Sequence, residues 1–322
     1  MNFAYTNQAR RSSKTKIPSS MKYVSYRSKG NPRPIVGVLD PSSTTVTPLR
    51  FPDNSPVRSL HHLIEEWDKV WEHLIPGTPV ENVTDVVILA PLRGRDVICV
   101  GKNYKDHAEE FHKSGYDSSD TKAQPEFPVF FTKRASSIIG NGASIYPHPE
   151  VTQSLDYEGE LAIIIGRGGI GIRKEDAWNH VWGATIVNDV TARDRQRDHK
   201  QFFIGKSLDT FCPMGPWAVH SSVLDWKNLH LTTRLNGDVV QSQNTSELIF
   251  DIPTLISTLS MGITLQPGDV IATGTPVGVC LSTGVFLKDG DLVEVEITSI
   301  GTLKNKVLDR GRAPECAPVR QA

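Results

Sequence analysis

The spacing of hydrophobic and polar positions along this 322-residue chain changes several times, and each change predicts an element. From Lys22 to about Leu49, short β-prone runs are separated by Gly, Pro and Ser turns, which predicts a small meander. Between Ser59 and Leu74 the apolar residues Leu60, Leu63, Ile64, Trp67, Val70, Trp71 and Leu74 recur at helical spacing, so one amphipathic helix is expected. A Pro-Gly-Thr-Pro turn then leads to the apolar run that begins at Val86. Beyond Asp96 many short strands mix with two or three helices, and Gly and Pro recur throughout. Long helices do not alternate with strands and no internal repeat is found. The pattern therefore predicts a mostly β core with peripheral helices (α+β) rather than a doubly wound sheet.

Composition narrows the function classes. Lys and Arg number 35 against 36 Asp and Glu, and the basic residues are spread along the chain, so no electrostatic footprint for nucleic acid is present. No apolar run reaches membrane-spanning length. Cys99, Cys212, Cys280 and Cys316 are far apart without CxxC spacing, which argues against structural zinc or a disulfide framework and for a reducing, cytoplasmic setting. Residues 1–20 hold Arg10, Arg11, Lys14 and Lys16 with several Ser and no acid. No apolar h-region follows, so this is no secretory signal. A mitochondrial presequence fits the basic charge, but the poor amphipathicity favours a disordered extension ahead of a domain beginning near Met21.

The chemistry concentrates at Asp156-Tyr-Glu158-Gly-Glu160, which runs directly into an aliphatic strand. On a continuous strand the three carboxylates share the face of Ala162 and Ile164. Neighbours on that face sit ~6.6 Å apart, where like charges repel by roughly 2–3 kcal/mol per pair at an effective dielectric near 20. Either a hard divalent cation lies between them or the strand end is solvated. Asp189 ends a second buried-looking strand, and if that strand lies beside Glu160 the carboxylates converge. Lys206 stands in a stretch without other charges, suited to stabilising an anion or to snorkelling at the surface. His107 and Glu110 are i and i+3 on a predicted helix, the spacing at which a carboxylate orients an imidazole. Two motifs are decoys. Gly166-Arg-Gly168-Gly-Ile-Gly171 matches GxGxxG, but Ile172-Arg173 separates it from the next predicted helix, Lys174 to Trp182, and the upstream carboxylates would repel pyrophosphate. Gly205-Lys206-Ser207 ends like a P-loop, but Lys200 stands where that motif needs Gly.

Taken together, the segments resemble the fumarylacetoacetate hydrolase superfamily from about Asp96 to Asn305. They are Gly101-Lys-Asn-Tyr-x-x-His107, Pro128-Val-Phe-Phe-x-Lys133, Asp156-Tyr-Glu158-Gly-Glu160-Leu and Gly183-x-x-x-x-Asn-Asp189-Val-Thr-Ala-Arg193-Asp. Lys206-Ser-x-Asp-Thr-Phe-Cys-Pro-x-Gly-Pro216, Leu235-Asn-Gly-Asp-x-x-Gln241 and Leu265-x-Pro-Gly-Asp269-x-Ile-x-Thr-Gly-Thr-Pro276 complete the set. The resemblance implies a mixed β-sandwich roll, residues 96–310, behind a small N-terminal β-rich domain, 21–95, with a C-terminal tail, 311–322. It also implies a homodimer acting on a small 2-oxo acid. Glu158, Glu160 and Asp189 match the ligands of a Mg²⁺ or Mn²⁺ ion, whereas Asp156 matches the motif without being a ligand. His107 and Glu110 match a catalytic pair on a lid helix. Arg193, Gln196 and Lys206 match residues that hold substrate oxygens, and Thr275 lines the pocket. Two departures stand out: Arg134 follows Lys133 where members often have Pro, and the lid segment Lys113 to Ala123 is long and hydrophilic.

The leading expectation is metal-dependent hydrolysis of a carbon–carbon bond in a 2,4-dioxo acid, an acylpyruvate or fumarylacetoacetate-like substrate. His107, oriented by Glu110, would deprotonate water, and Lys206 and Gln196 would stabilise the oxyanion. The alternative on the same residues is decarboxylation of oxaloacetate or tautomerisation of a 2-oxo acid. A non-catalytic binding relative is the third reading.

Overall fold

The computed structural model describes residues 20–113 and 124–308. The N-terminal extension before Ser20, the hydrophilic segment 114–123 and the C-terminal tail lie outside the described residues.

Strands dominate, as the pattern predicts. One sheet of thirteen strands runs through the molecule, and a second sheet of four strands (Asp238–Asn244, His230–Leu235, Leu292–Ile297 and Gly301–Lys306, in spatial order) packs against it. A short ribbon pairs Leu155–Asp156 with Thr191–Ala192. The meander joins the large sheet directly, because Lys22–Ser28 pairs antiparallel with Cys212–His220.

The strand Gly159–Ile165 lies inside the large sheet, antiparallel to both Val181–Asn188 and Val270–Ala272. Its unbroken apolar run follows from having two cores, one on each face. Leu161, Ile163 and Ile165 pack with Leu231, Val293, Val295 and Ile297 of the four-stranded sheet. Ala162 and Ile164 share the other core with Leu60, Leu63, Ile64 and Trp67. Fully burying each large aliphatic side chain here stabilises the fold by about 1.5–3 kcal/mol. Close pairing also fixes residue size: a Cβ on Gly183 would lie 2.1 Å from the carbonyl oxygen of Val219.

Two predicted helices form differently. The segment 59–74 breaks into Leu60–Glu65, Trp67–Val70 and a 3₁₀ turn Trp71–His73, because Glu66 leaves the helical region at φ −96°, ψ 3°. The break lets Trp67 pack edge-on against Tyr23 and Trp182, with ring centroids 5.5 and 5.3 Å away. The stretch Lys174–His180 is 3₁₀ rather than α-helical, and Val181 and Trp182 are strand residues. Pairing of Val181 with Ile165 takes the end of the predicted helix into the sheet. The GxGxxG glycines serve packing: a Cβ on Gly166 would sit 2.8 Å from Trp182 Cβ, and one on Gly168 would sit 2.7 Å from the Leu265 carbonyl oxygen.

Candidate active site

Sheet register brings the acidic motif and Asp189 together. Gly159 pairs with Asn188 and Glu160 with Val187, so both segments reach the same strand ends. The Asp189 N–H donates to the Glu158 carbonyl at 2.8 Å, and the Glu158 N–H donates to Asn188 Oδ1 at 3.0 Å. Glu158, Glu160 and Asp189 are all buried, and each offers a carboxylate oxygen within 4.8 Å of the others.

The expectation that Asp156 shares their strand face is corrected. The chain leaves β geometry at Tyr157 and Glu158, and Asp156 belongs to the separate ribbon with Thr191. Its carboxylate instead accepts the N–H groups of Tyr157 (2.8 Å), Cys280 (2.7 Å) and Leu281 (3.0 Å) and pairs with Arg193 Nε at 2.8 Å.

Three buried cations hold most of this charge. Lys133 Nζ is 2.5 Å from Asp189. Lys206 Nζ bridges Glu158 at 2.7 Å and Asp189 at 2.8 Å, so it is a buried bridging ammonium and not a snorkelling one. Arg193 meets Glu158 at 2.7 Å as well as Asp156, and its third nitrogen donates to Gln196 Oε1 at 3.2 Å. Burial alone would raise the Glu158 pKa, but Lys206 and Arg193 outweigh it and bring it down to about 2. Burial also opposes the charge of Lys206, yet Asp189 and Glu158 hold its pKa above the usual lysine value.

Glu160 differs. It accepts the Gly274 N–H at 2.9 Å, and among the described residues no basic side chain pairs with it. Burial and then the neighbouring Asp189 and Glu158 push its pKa well above the carboxylate range. A buried carboxylate in that position calls for a positive partner. An all-oxygen donor set of this charge suits a hard divalent cation that keeps open positions for a substrate. Glu158, Glu160 and Asp189 fit such an ion.

The helix Lys105–Lys113 carries the imidazole. His107 Nδ1 lies 3.0 Å from Glu110 Oε2, and Glu110 Oε1 accepts the Gly278 N–H at 3.3 Å. A carboxylate on Nδ1 places the proton there and leaves Nε2 as the basic nitrogen.

His107, Glu158, Glu160, Arg193, Gln196, Lys206 and Thr275 line one narrow, partly open cavity with about 20 Å³ of free space. Asp189 lies beneath it, behind Lys206, and Glu110 stands behind His107. Thr275 Oγ1 donates to the Gly159 carbonyl and accepts from Gln241 Nε2, both at 2.9 Å, which fixes the Thr-Gly-Thr-Pro turn against the acidic strand. Sequence reasoning missed the apolar wall. Phe131 and Phe202 line the cavity and meet edge to face at 5.2 Å, and the Lys206 ammonium sits 5.1 Å from the Phe131 ring centre. Gly101 makes room for them, since a Cβ there would lie 3.0 Å from Phe202 Cε2. Lys133 was legible only as part of a motif; its role as the buried partner of Asp189 needed the fold.

This fold and acidic site define a known class of enzyme. The family described as fumarylacetoacetate (FAA) hydrolase, C-terminal, matches residues 96–308, and the chain belongs to that superfamily. It is 50% identical over 236 residues to "Oxaloacetate tautomerase YisK" of Bacillus subtilis (strain 168), covering 72% of this chain and 76% of that protein. It is 37% identical over 299 residues to "Oxaloacetate tautomerase fahd2, mitochondrial" of Xenopus laevis, covering 90% and 91%. Among solved structures it resembles a fumarylacetoacetate hydrolase from Exiguobacterium antarcticum, with TM-score 0.73, 40% identity and coverage of 90% of this chain and 100% of that one. A 2-hydroxyhepta-2,4-diene-1,7-dioate isomerase from Mycobacterium marinum gives TM-score 0.71 at 32% identity, covering 91% and 100%. No helix among the described residues is long and apolar enough to cross a membrane.

Proposed function

We propose that this enzyme interconverts the keto and enol forms of oxaloacetate or a similarly small 2-oxo acid, with Mg²⁺ or Mn²⁺ held by Glu158, Glu160 and Asp189. The observation that carries the reading is the placement of the oriented His107 imidazole and the buried Glu158–Glu160 pair on one narrow cavity. The relatives named as oxaloacetate tautomerases support it over the hydrolysis that the sequence puts first.

When bound, the ion would supply Lewis acidity toward the substrate oxygens and neutralise carboxylate charge. His107 Nε2 removes a proton from the carbon next to the 2-oxo group, and Glu110 stabilises the imidazolium that results. Negative charge then moves to the 2-oxo oxygen, where the Lys206 ammonium and the Gln196 amide can hydrogen-bond it. Return of the proton to that oxygen completes the enol. Arg193 meets Asp156, Glu158 and Gln196 and so positions Glu158 and Gln196, while its remaining N–H groups at the cavity wall can reach substrate oxygens.

Hydrolysis of a 2,4-dioxo acid remains the second reading, favoured by the same dyad, which can deprotonate water as well as carbon. The Phe131–Phe202 wall suits a small acid better than a longer acyl chain. Decarboxylation of oxaloacetate shares the enolate and is expected as a side reaction. A homodimer is part of the proposal, as is a compartment that is either cytoplasmic or, given the mitochondrial relatives, mitochondrial.

The test incubates metal-stripped protein with oxaloacetate and with acetylpyruvate, with and without Mg²⁺, following enol absorbance and pyruvate. Mg²⁺-dependent keto–enol exchange of oxaloacetate is expected. Rapid Mg²⁺-dependent pyruvate release from acetylpyruvate, with oxaloacetate exchange at the uncatalysed rate, would replace this reading with the hydrolase.

A further inference from the structure

A second, open cleft, which shares no lining residue with the catalytic cavity, lies between two parts of the chain and offers about 680 Å³. That volume falls within the range of small-molecule pockets. One wall is the strand Val86–Ile88 and the residues that follow it, and the other is the segment from Ile138 to Ala143. Both walls are built rigidly. Gly140 packs so closely on the first wall that a Cβ would lie 2.7 Å from the Ala90 nitrogen and 2.9 Å from the Leu89 carbonyl carbon. On the second wall, Asn305 Nδ2 donates to the carbonyls of Gly140 at 3.0 Å and Ala143 at 2.8 Å, and Asn141 Oδ1 accepts the Lys304 N–H at 2.8 Å. The cleft is thus formed before any ligand arrives.

Two arginines enter it. Arg27 projects from the strand Lys22–Ser28, whose backbone pairs with Val87, and Arg93 comes from the loop after Leu92. Among the described residues neither has an acidic partner, and the Arg27 Nε is buried without a hydrogen-bond acceptor. Arg93 is exposed at the mouth of the cleft; partial desolvation and then the nearby Arg27 lower its pKa, so the two guanidinium groups share one field. The surrounding lining, Val86 to Ala90 with Ile138 and Ile139, carries no carboxylate. Like charges gathered at an apolar-walled cleft, with the buried Arg27 Nε left unmet, are complementary to an anion that offers several oxygens.

We infer that this cleft binds a small polyanion, a polycarboxylate or a phosphorylated metabolite, with Arg27 and Arg93 as its two anchors. The planar guanidinium fork matches carboxylate and phosphate oxygens equally, so the two sources share this chemistry.

The test is calorimetric titration of the full-length protein at low ionic strength with citrate and, separately, with pyrophosphate. It compares wild type with Arg27→Gln, Arg93→Gln and the double variant. Saturable binding to wild type, weakened roughly tenfold or more by each substitution and further by added salt, is expected. A response to citrate alone assigns carboxylates, and one to pyrophosphate alone assigns phosphates. Wild-type affinity retained in the double variant, or no saturable binding of either anion, would overturn the site. So would a double variant that sediments at a lower mass, because the arginines would then belong to a contact between subunits. Because the readout is binding, it stands whether or not oxaloacetate is the substrate, and an unchanged melting profile shows that the variants fold.

Discussion

Glu158 and Glu160 bring oxygens into the same buried cluster, yet Lys206 stands 2.7 Å from Glu158 while Glu160, among the described residues, accepts the Gly274 N–H at 2.9 Å and pairs with no basic side chain. Their replacement by glutamine should therefore act in opposite directions on the metal-free protein. Glu158→Gln leaves Arg193 and Lys206 with an unmatched buried charge and should cost about 3–5 kcal/mol. Glu160→Gln removes a carboxylate without a cation, so metal-free stability should hold or rise. It should also abolish stabilisation by Mg²⁺, which reaches about 2.7 kcal/mol in a competent protein at a hundredfold excess over Kd. Thermal melts with and without Mg²⁺ check both, and a full Mg²⁺ shift in Glu160→Gln would remove that residue from the ligand set.

The hydrogen bond between His107 and Glu110 makes a kinetic prediction. His107→Gln should lower kcat for oxaloacetate exchange by about 10²–10⁴-fold with little change in KM. Glu110→Gln should give a smaller loss, because the imidazole stays but its tautomer and orientation are no longer imposed. Equal activity of His107→Gln and wild type would move the base elsewhere.

The apolar wall should set substrate length. Phe131→Ala opens space beside Lys206 and should raise kcat/KM for acetylpyruvate relative to oxaloacetate by roughly tenfold, about what one or two methylenes decide in an apolar pocket. A ratio that does not move would place the selecting contacts outside this wall.

His220 makes a pH prediction remote from the catalytic cavity. It stacks on Trp67 with centroids 4.7 Å apart and meets Trp182 at 5.3 Å, and burial lowers its pKa from 6.5 to about 4. Between those values the unfolded chain binds more proton than the native one, so this group's contribution is complete above pH 6.5 and is lost as pH falls toward 4. His220→Phe keeps an aromatic ring without the titration. Its melting temperature relative to wild type should climb as pH drops from 6.5 to 4.5, and a constant difference would contradict this account.

Gly183→Ala tests the strand pairing that carries the acidic motif. Its Cβ would meet the Val219 carbonyl at 2.1 Å, a backbone atom that cannot move aside, and a loss of about 1–3 kcal/mol is expected in denaturant unfolding.

Much of this was legible in the sequence because chain-local chemistry carries it. Alternating carboxylates before an aliphatic run marked a charge cluster, and His107 with Glu110 is fixed by helical spacing alone. The mostly β architecture followed from many short runs separated by Gly and Pro. What the sequence could not say depended on residues far apart in the chain. The break at Tyr157 and Glu158 turns Asp156 away from the cluster toward Arg193, and Val181 leaves a helical pattern to pair with Ile165. Phe131, Phe202 and Gly101 form one wall only after their strands and helix are packed, and Lys133 finds Asp189 across 56 residues of chain. Local spacing determines which groups can act as a pair. Only tertiary packing, which excludes water and sets distances between remote segments, decides which charges are matched and which one is left for a cation.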